Sequence, residues 1–467
     1  MSEAGSVAPA LAGFAVSDAP ADAGEARGAA VRHIFDVIGC GLAAVGTGAG
    51  RHATRVVAAS GGTDEATVLG VGHRLPAAAA ALANGTSCHA LDFDDTHEAG
   101  ICHVSAVVAP AALAVGEALN RTGADVVDAY LVGSEAALRI AVAAAPGLYA
   151  RGFHPTSVCG AFGAAAAAAR LRGLSEGQTT NALGIVGSFA SGLFEYLSDG
   201  AETKPLHAGW AAQAGVQAAA LAAEGATGPT TVIEGRFGLF ASHIDRAPDL
   251  EAITGDLGTR WEAAQVAIKP YPACHFVHAA TWAAGHLADQ NGLTAADVAA
   301  VDVRVPDEGV ALVLDPIANK HRPSTPYDAK FSVPFTIAHQ LVYGEVGLAS
   351  FSEDRINDPE VLAVARRVTG GSWESGEPPS RFAGSIVLTT TDERVLALEV
   401  PFTPGSPGNP MSVEWLTAKF RANAALALDG PDVEEIVGAL GALDSPTPVA
   451  ELVRPLARAR IQPEDHR

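Results

Sequence analysis

Twice in this chain a polar residue and a proline open a long run of small residues that a glycine closes, and that pattern leaves the backbone few options. His154-Pro155 leads through GAFGAAAAAARL to Gly173, and Lys204-Pro205 leads through HAGWAAQAGVQAAALAAE to Gly225. Proline fits the first helical turn, where its missing N–H costs nothing, and glycine supplies the left-handed residue that ends a helix. Both runs are predicted helices, and proline keeps the residue before it out of the helical region. His154 and Lys204 are thus expected as caps, beside free backbone N–H groups and the positive end of a helix dipole. Such a place favours a carboxylate ligand. Lys269-Pro270-Tyr271-Pro272-Ala273-Cys274-His275 is a third such start, with FVHAATWAAGHLADQ resuming as helix. One lysine before a proline is more often surface than site, because lysine is rarely buried. Three polar-proline starts in one chain bring the two readings level.

The densest chemistry lies elsewhere, in NGTSCHALDFDDTHEAGICHVSAVVAP from Asn84 to Pro110. His89, Asp92, Asp94, Asp95, Thr96, His97, Glu98 and His103 interrupt flanks that read as buried apolar helices. If the helix runs through Thr96, Asp92 and Thr96 share one face, His89 stands a turn earlier, and Gly100 lets a short loop bring His103 back. Partly buried Asp and His are candidates for shifted proton affinities. The plain alternative is a solvated helix end or capping loop. His89, Asp92, Asp94 and His97 are also a conceivable divalent-metal set, though without a recognised ligand spacing.

The formal net charge of -22 argues against nucleic-acid or anionic-membrane partners, which need a basic surface. Cys40, Cys88, Cys102, Cys159 and Cys274 are odd in number and scattered, with no CxxC pair. Reduced thiols and a cytoplasmic location are therefore expected. Glu3 stands where a signal peptide would carry positive charge, and no long apolar stretch follows. A soluble protein is expected.

From about Leu293 the texture changes. VAAVDVRVP alternates like a strand, RFAGSIVLTTTDERVLALEVP reads as two strands across a Thr-Asp-Glu-Arg turn, and DAKFSVPFTIAHQLVYGEVG and DPEVLAVARRVTGG between them read as helix. The prediction is a mainly α fold with an α+β insertion. Residues 1–269 begin a helical domain, 270–403 form the α+β unit, and 404–467 return to helix after the Gly/Pro linker FTPGSPGNPMS. Glu135 and Arg139 form an i,i+4 pair read as structural.

NGTSCHALDFDDT, RGFHPTSVCGAFGAAAAAARL, ETKPLHAGWAAQAGVQAAALA, KPYPACHFVHA, DAKFSVPFTIA and PGNPMSVEWLTAKF together resemble the sequence blocks of the MmgE/PrpD family, over nearly the whole chain. That family includes 2-methylcitrate dehydratases, cis-aconitate decarboxylases and iminodisuccinate epimerases. The resemblance implies a large all-helical domain built from both chain ends and a smaller α+β lid domain. It also implies a homodimer, no metal or organic cofactor, and a small di- or tricarboxylate substrate. Asp92, Thr96, His103, His154, Lys204, Lys269 and His275 fall on the family's active-site positions. This chain departs from the pattern with HEAGIC after Thr96, which makes His97 a competitor for the role of His103.

Dehydration, decarboxylation and epimerisation beside a carboxylate all develop negative charge next to that carboxylate. Each needs a cation clamp and a proton shuttle. Lys204 and Lys269 suit the first, with Thr96 and His275 as further substrate contacts; His103 and His154 suit the second, with Asp92 fixing one imidazole. The expected activity is a hydro-lyase on a 2-methylcitrate-like substrate, with a decarboxylase or epimerase as the alternative. A silent carboxylate binder and a metal-dependent hydrolase stand further off. No nucleophile elbow, Walker loop or dinucleotide fingerprint is present in the sequence.

Overall fold

The structure, a computed structural model, describes residues 6–198, 200–373 and 380–460. They fall into two units, one ending at Val266 and resuming at Ser412, the other spanning Ala267–Met411. The fold is mainly α; among the described residues the one sheet of more than two strands lies in the second unit.

In the first unit, small residues let helices approach closely. The helix Pro155–Arg172 starts with His154 as its extended cap and Pro155 in first place, and ends on left-handed Gly173. A Cβ at Gly163 would lie 2.5 Å from the carbonyl oxygen of Gly133, so this helix and Gly123–Ala144 meet nearly backbone to backbone. The helices Ala77–His89 and Thr203–Ala223 cross in the same way, since a Cβ at Gly209 would lie 2.2 Å from the Leu82 carbonyl oxygen. Close approach of this kind fixes crossing points that bulkier residues would leave free to slide. The helix Val413–Ala424 returns to the helix Glu25–Thr47, where Phe420 stacks on Phe35 with centroids 4.2 Å apart. Glu25–Thr47 is the one helix among the described residues long and apolar enough to cross a membrane, and most of it is buried inside the protein.

Arg139 is fully buried, and its partners explain why. Its Nε donates to Glu135 Oε1 at 2.5 Å, and its guanidinium also donates to the carbonyls of Ile253 at 3.2 Å and Arg260 at 2.7 Å. Glu135 in turn accepts from the backbone N–H of Ala263 at 3.0 Å. The pair is structural and shapes the loop that carries Glu262.

The second unit is built on a four-stranded sheet. Val298–Val305 lies parallel to Val368–Ser372 and antiparallel to Gly384–Thr390, which pairs antiparallel with Val395–Val400. Val301, Val303, Ile386 and Leu388 point into a core shared with Phe335 and Ile337 of the helix Val333–Tyr343. One segment differs from expectation. The helix Pro359–Ala365 stops early, and Val368–Ser372 is an edge strand, because the open side of Val301–Val305 offers its backbone hydrogen-bond partners.

Candidate active site

The helix Ala77–His89 ends at His89, not at Thr96 as the spacing suggested. Asp92 adopts a left-handed φ of 56°, which turns the chain out of the helix, and Thr96 lies in a two-residue strand. Aspartate tolerates that region better than most residues because its short polar side chain bonds locally. The segment then doubles back. His97 N–H donates to the Cys102 carbonyl at 2.8 Å and Cys102 N–H to the His97 carbonyl at 3.3 Å, which returns His103 to the end of the helix. Gly100, in that loop, would bring a Cβ within 2.9 Å of Ala141.

Each carboxylate of the Asp-x-Asp-Asp run has its own task. Asp92 Oδ1 accepts from Lys204 Nζ at 2.8 Å. Asp94 Oδ2 accepts from His89 Nδ1 at 2.7 Å and lies 3.7 Å from His103 Nδ1. Asp95 is buried against Ser105, whose hydroxyl also meets Tyr130; burial pushes its carboxyl up to about 8 and Asp94 pushes the same way, while the Ser105 hydrogen bonds oppose. The Asp95 carbonyl accepts from His103 Nδ1 at 2.6 Å. That bond leaves Nε2 as the His103 atom for proton transfer. Asp92 was expected to orient an imidazole; its carboxylate accepts from Lys204, and Asp94 is the carboxylate that holds one.

Four imidazoles gather here. The His89 ring centroid is 5.0 Å from that of His103 and 5.6 Å from that of His154, with His89 and His154 stacked at 23°. His154 Nδ1 is 3.1 Å from His207 Nδ1, so one donates and the other accepts. Burial first, then coulombic opposition from His89, Lys204, His103 and His207 to a further positive charge, hold His154 well below the usual imidazole range. Burial, His89 and Lys204 hold His207 down at about 4. Both rings are therefore neutral near pH 7.

The sequence-predicted residues thus divide. His103, His154, Asp92, Thr96 and Lys204 belong to the first unit, and Thr96 Oγ1 lies 3.4 Å from His103 Nδ1. Lys204 occupies the first turn of Thr203–Ala223 rather than its cap, which is Glu202. Lys269 and His275 belong to the second unit, both buried. Lys269 opens no helix, because the α-helix begins only at His278 after a short 3-10 turn. His275 stacks on Phe382 at 4.1 Å and its Nε2 is 3.1 Å from Thr403 Oγ1. His97 is placed apart from the imidazole cluster: its Nδ1 accepts from Gly100 N–H at 3.1 Å and its Nε2 donates to Glu262 at 3.2 Å.

His207 and the His89–Asp94 pairing were missed. His207 follows Lys204 by three residues on one helix, so the i,i+3 rule applied to the lysine-proline start would have found it. A metal quartet of His89, Asp92, Asp94 and His97 does not form, because Asp92 goes to Lys204 and His97 to Glu262. His89, Asp94 and His103 do carry potential ligand atoms within 4.8 Å of one another, but both Nδ1 atoms are taken by hydrogen bonds to Asp94 and to the Asp95 carbonyl. Beside His207 opens a cavity of about 570 Å³, lined by Ser157, Leu193, Tyr196, Leu206 and Trp210 among others.

Comparison with known proteins bears on this arrangement. The MmgE/PrpD N-terminal domain matches residues 7–251 and the MmgE/PrpD C-terminal domain residues 271–440. The chain is 31% identical to a cis-aconitate decarboxylase of Homo sapiens over 424 residues, covering 87% of this chain and 85% of that one. It is 30% identical to the Mus musculus cis-aconitate decarboxylase over 451 residues, covering 93% and 89%. To a cis-aconitate decarboxylase of Aspergillus terreus it is 29% identical over 422 residues, covering 83% of each. The chain belongs to the MmgE/PrpD family.

Proposed function

We propose that this protein is a lyase that decarboxylates a small unsaturated tricarboxylate of the cis-aconitate type. The lyase class is common to the relatives named above and is the enzyme class of this chain. Their names favour decarboxylation over the 2-methylcitrate dehydration that the sequence alone put first. One observation carries the reading: the Lys204–Asp92 pair stands beside an imidazole cluster in which His154 is neutral and His103 faces an acidic group.

The chemistry follows from those charges. As the C–C bond to the leaving carboxylate breaks, its electron pair spreads through the adjacent double bond and CO₂ departs. Negative charge then grows beside a remaining carboxylate, where the Lys204 ammonium opposes it. His103, held by the Asp95 carbonyl and 3.7 Å from Asp94, is suited to be the imidazolium whose Nε2 proton goes to carbon. One proton is consumed per turnover. Thr96, Lys269 and His275 are assigned to substrate binding, the last two on the resemblance of KPYPACHFVHA to the family block.

Dehydration is the second reading, favoured by His154 alone. A neutral imidazole beside a second imidazole that faces Asp94 offers the base and the acid that loss of water requires. A homodimer is part of the proposal, since Leu193, Leu197, Leu206 and Trp210 expose apolar surface on the first unit. A cytoplasmic location accords with five free thiols.

The deciding experiment is mass spectrometry of the enzyme with cis-aconitate, citrate, 2-methylcitrate and iminodisuccinate, with chiral separation for the last. Loss of CO₂ from cis-aconitate is the expected outcome. Loss of water from 2-methylcitrate, or inversion of iminodisuccinate, would replace decarboxylation by the corresponding reaction. Ligand-induced stabilisation with no turnover of any would mean a carboxylate-binding protein.

A further inference from the structure

Lys419 stands 326 residues from Phe93 in sequence and touches it twice. Its Nζ donates to the Phe93 carbonyl at 3.0 Å and sits 3.9 Å from the centre of the Phe93 ring. The same ammonium pairs with Asp36 Oδ1 at 2.7 Å, with the two side chains 4% and 2% exposed. Three distant pieces of the first unit therefore meet at one buried cation: the helix Glu25–Thr47, the helix Val413–Ala424 and the turn after His89.

A buried ion pair is a poor device for stability alone, because desolvation of both charges cancels much of their attraction and an apolar pair of similar size serves as well. Packing between these helices is already supplied next door, by Phe420 stacked on Phe35 and lying against Gly39. What an apolar pair cannot do is bind a carbonyl oxygen. The carbonyl in question lies between Asp92, which pairs with Lys204 from a left-handed φ of 56°, and Asp94, which holds His89. Fixing the Phe93 peptide fixes the direction in which both carboxylates leave the chain.

We propose that Lys419, held by Asp36, is a positioning residue for the site: it clamps the Phe93 carbonyl and so sets Asp92 against Lys204. Lys419 touches neither substrate nor reacting atoms. This inference rests on the reading of Asp92 and Lys204 as part of the site given above, and its test is built to separate the two. The electrostatics point the same way: burial and the neighbouring Asp94 raise the Asp36 carboxyl, and Lys419 is what opposes them.

The experiment is a double-mutant cycle on the full chain with cis-aconitate, using Lys419→Met, Asp92→Asn and the double variant, with thermal unfolding of each. Misplacement of a reacting group by about 1 Å costs about 10²-fold, so Lys419→Met should lower kcat/KM by about that factor. Because Lys419 acts through Asp92, adding Lys419→Met to Asp92→Asn should cost less than about threefold more. Phe420→Leu is the structural control: it should lower the melting temperature and leave kcat/KM per folded molecule within about threefold. If Lys419→Met does not fold, the isosteric Asp36→Asn replaces it in the cycle and carries the same expectation of non-additivity. Additive losses in the cycle, or a folded Lys419→Met within threefold of the native enzyme, overturn the proposal. If instead Asp92→Asn is itself fully active, the reading of the site falls first, and the positioning role falls with it.

Discussion

Replacing Lys204 by methionine removes the ammonium and keeps the length and apolar stem of the side chain. The ammonium lies 2.8 Å from Asp92 Oδ1, with the two side chains 15% and 9% exposed. Deleting one member of a fully buried pair costs about 3–5 kcal/mol, because the other charge is left to bear its own desolvation. Exposed pairs cost about 1 kcal/mol or less. This pair is mostly but not wholly buried, so the expected loss of stability is about 1–3 kcal/mol.

The kinetic loss is a separate quantity. A preorganised donor facing developing negative charge contributes about 10²–10³ to kcat. Initial rates of CO₂ release from cis-aconitate, measured on the same preparation as the unfolding curve, should show kcat/KM lower by about that factor. In Asp92→Asn the cation remains, and the fall in kcat should be smaller than in Lys204→Met. A folded Lys204→Met enzyme within about tenfold of the native kcat/KM would refute the reasoning, since a tenfold loss is less than one oxyanion-type donor supplies.

His103→Gln and His154→Gln should each lower kcat/KM by about 10²- to 10⁴-fold while folding normally, the contribution expected of a positioned acid or base. His97→Gln, which disturbs only the Glu262 contact and the Gly100 turn, should lose about 1 kcal/mol of stability and leave kcat within about threefold; a large loss there alone would move the loop-histidine role to His97. Chelation should leave turnover unchanged, and activity lost in chelator and restored by one divalent ion would reassign His89, Asp94 and His103 as ligands. Burial holds His33 down at about 3, so the unfolded chain takes up its proton first as pH falls below about 6.5; the native state then loses about 2 kcal/mol by pH 5 from this group. Urea unfolding of the native protein and of His33→Gln should show the gap between them narrowing by that amount from pH 7 to pH 5.

The proline-started, glycine-stopped helices were legible because their signals are local: Pro155 and Gly173 act through their own φ angles, whatever the rest of the chain does. The strands Val298–Val305, Gly384–Thr390 and Val395–Val400 were legible for a like reason, through side-chain alternation. Val368–Ser372 was not, because an edge strand is made by its partner and its own residues carry little alternation. At the site, local signals named His154, Lys204 and the aspartate run, but not which carboxylate serves which imidazole. That depended on the left-handed turn at Asp92, which sends Asp92 to Lys204 and leaves Asp94 for His89. Lys419 was wholly illegible as a site neighbour, since nothing in VEWLTAKF says that its lysine returns to Phe93.

The arrangement also explains how a chain of net charge -22 can favour an anionic substrate. Global charge acts over many ångströms and is screened by salt, whereas the field inside a buried cluster is set by its nearest groups. Here each acidic side chain near the imidazoles already has a cation or donor: Lys204 for Asp92, His89 for Asp94, Ser105 for Asp95 and Lys419 for Asp36. The imidazoles, by contrast, crowd one another and Lys204, and that crowding rather than a general base partner is what joins burial in keeping His154 and His207 neutral. On the reading proposed above, a substrate carboxylate entering this cluster competes with Asp92 for Lys204, while Asp94 and Asp95 keep their own donors.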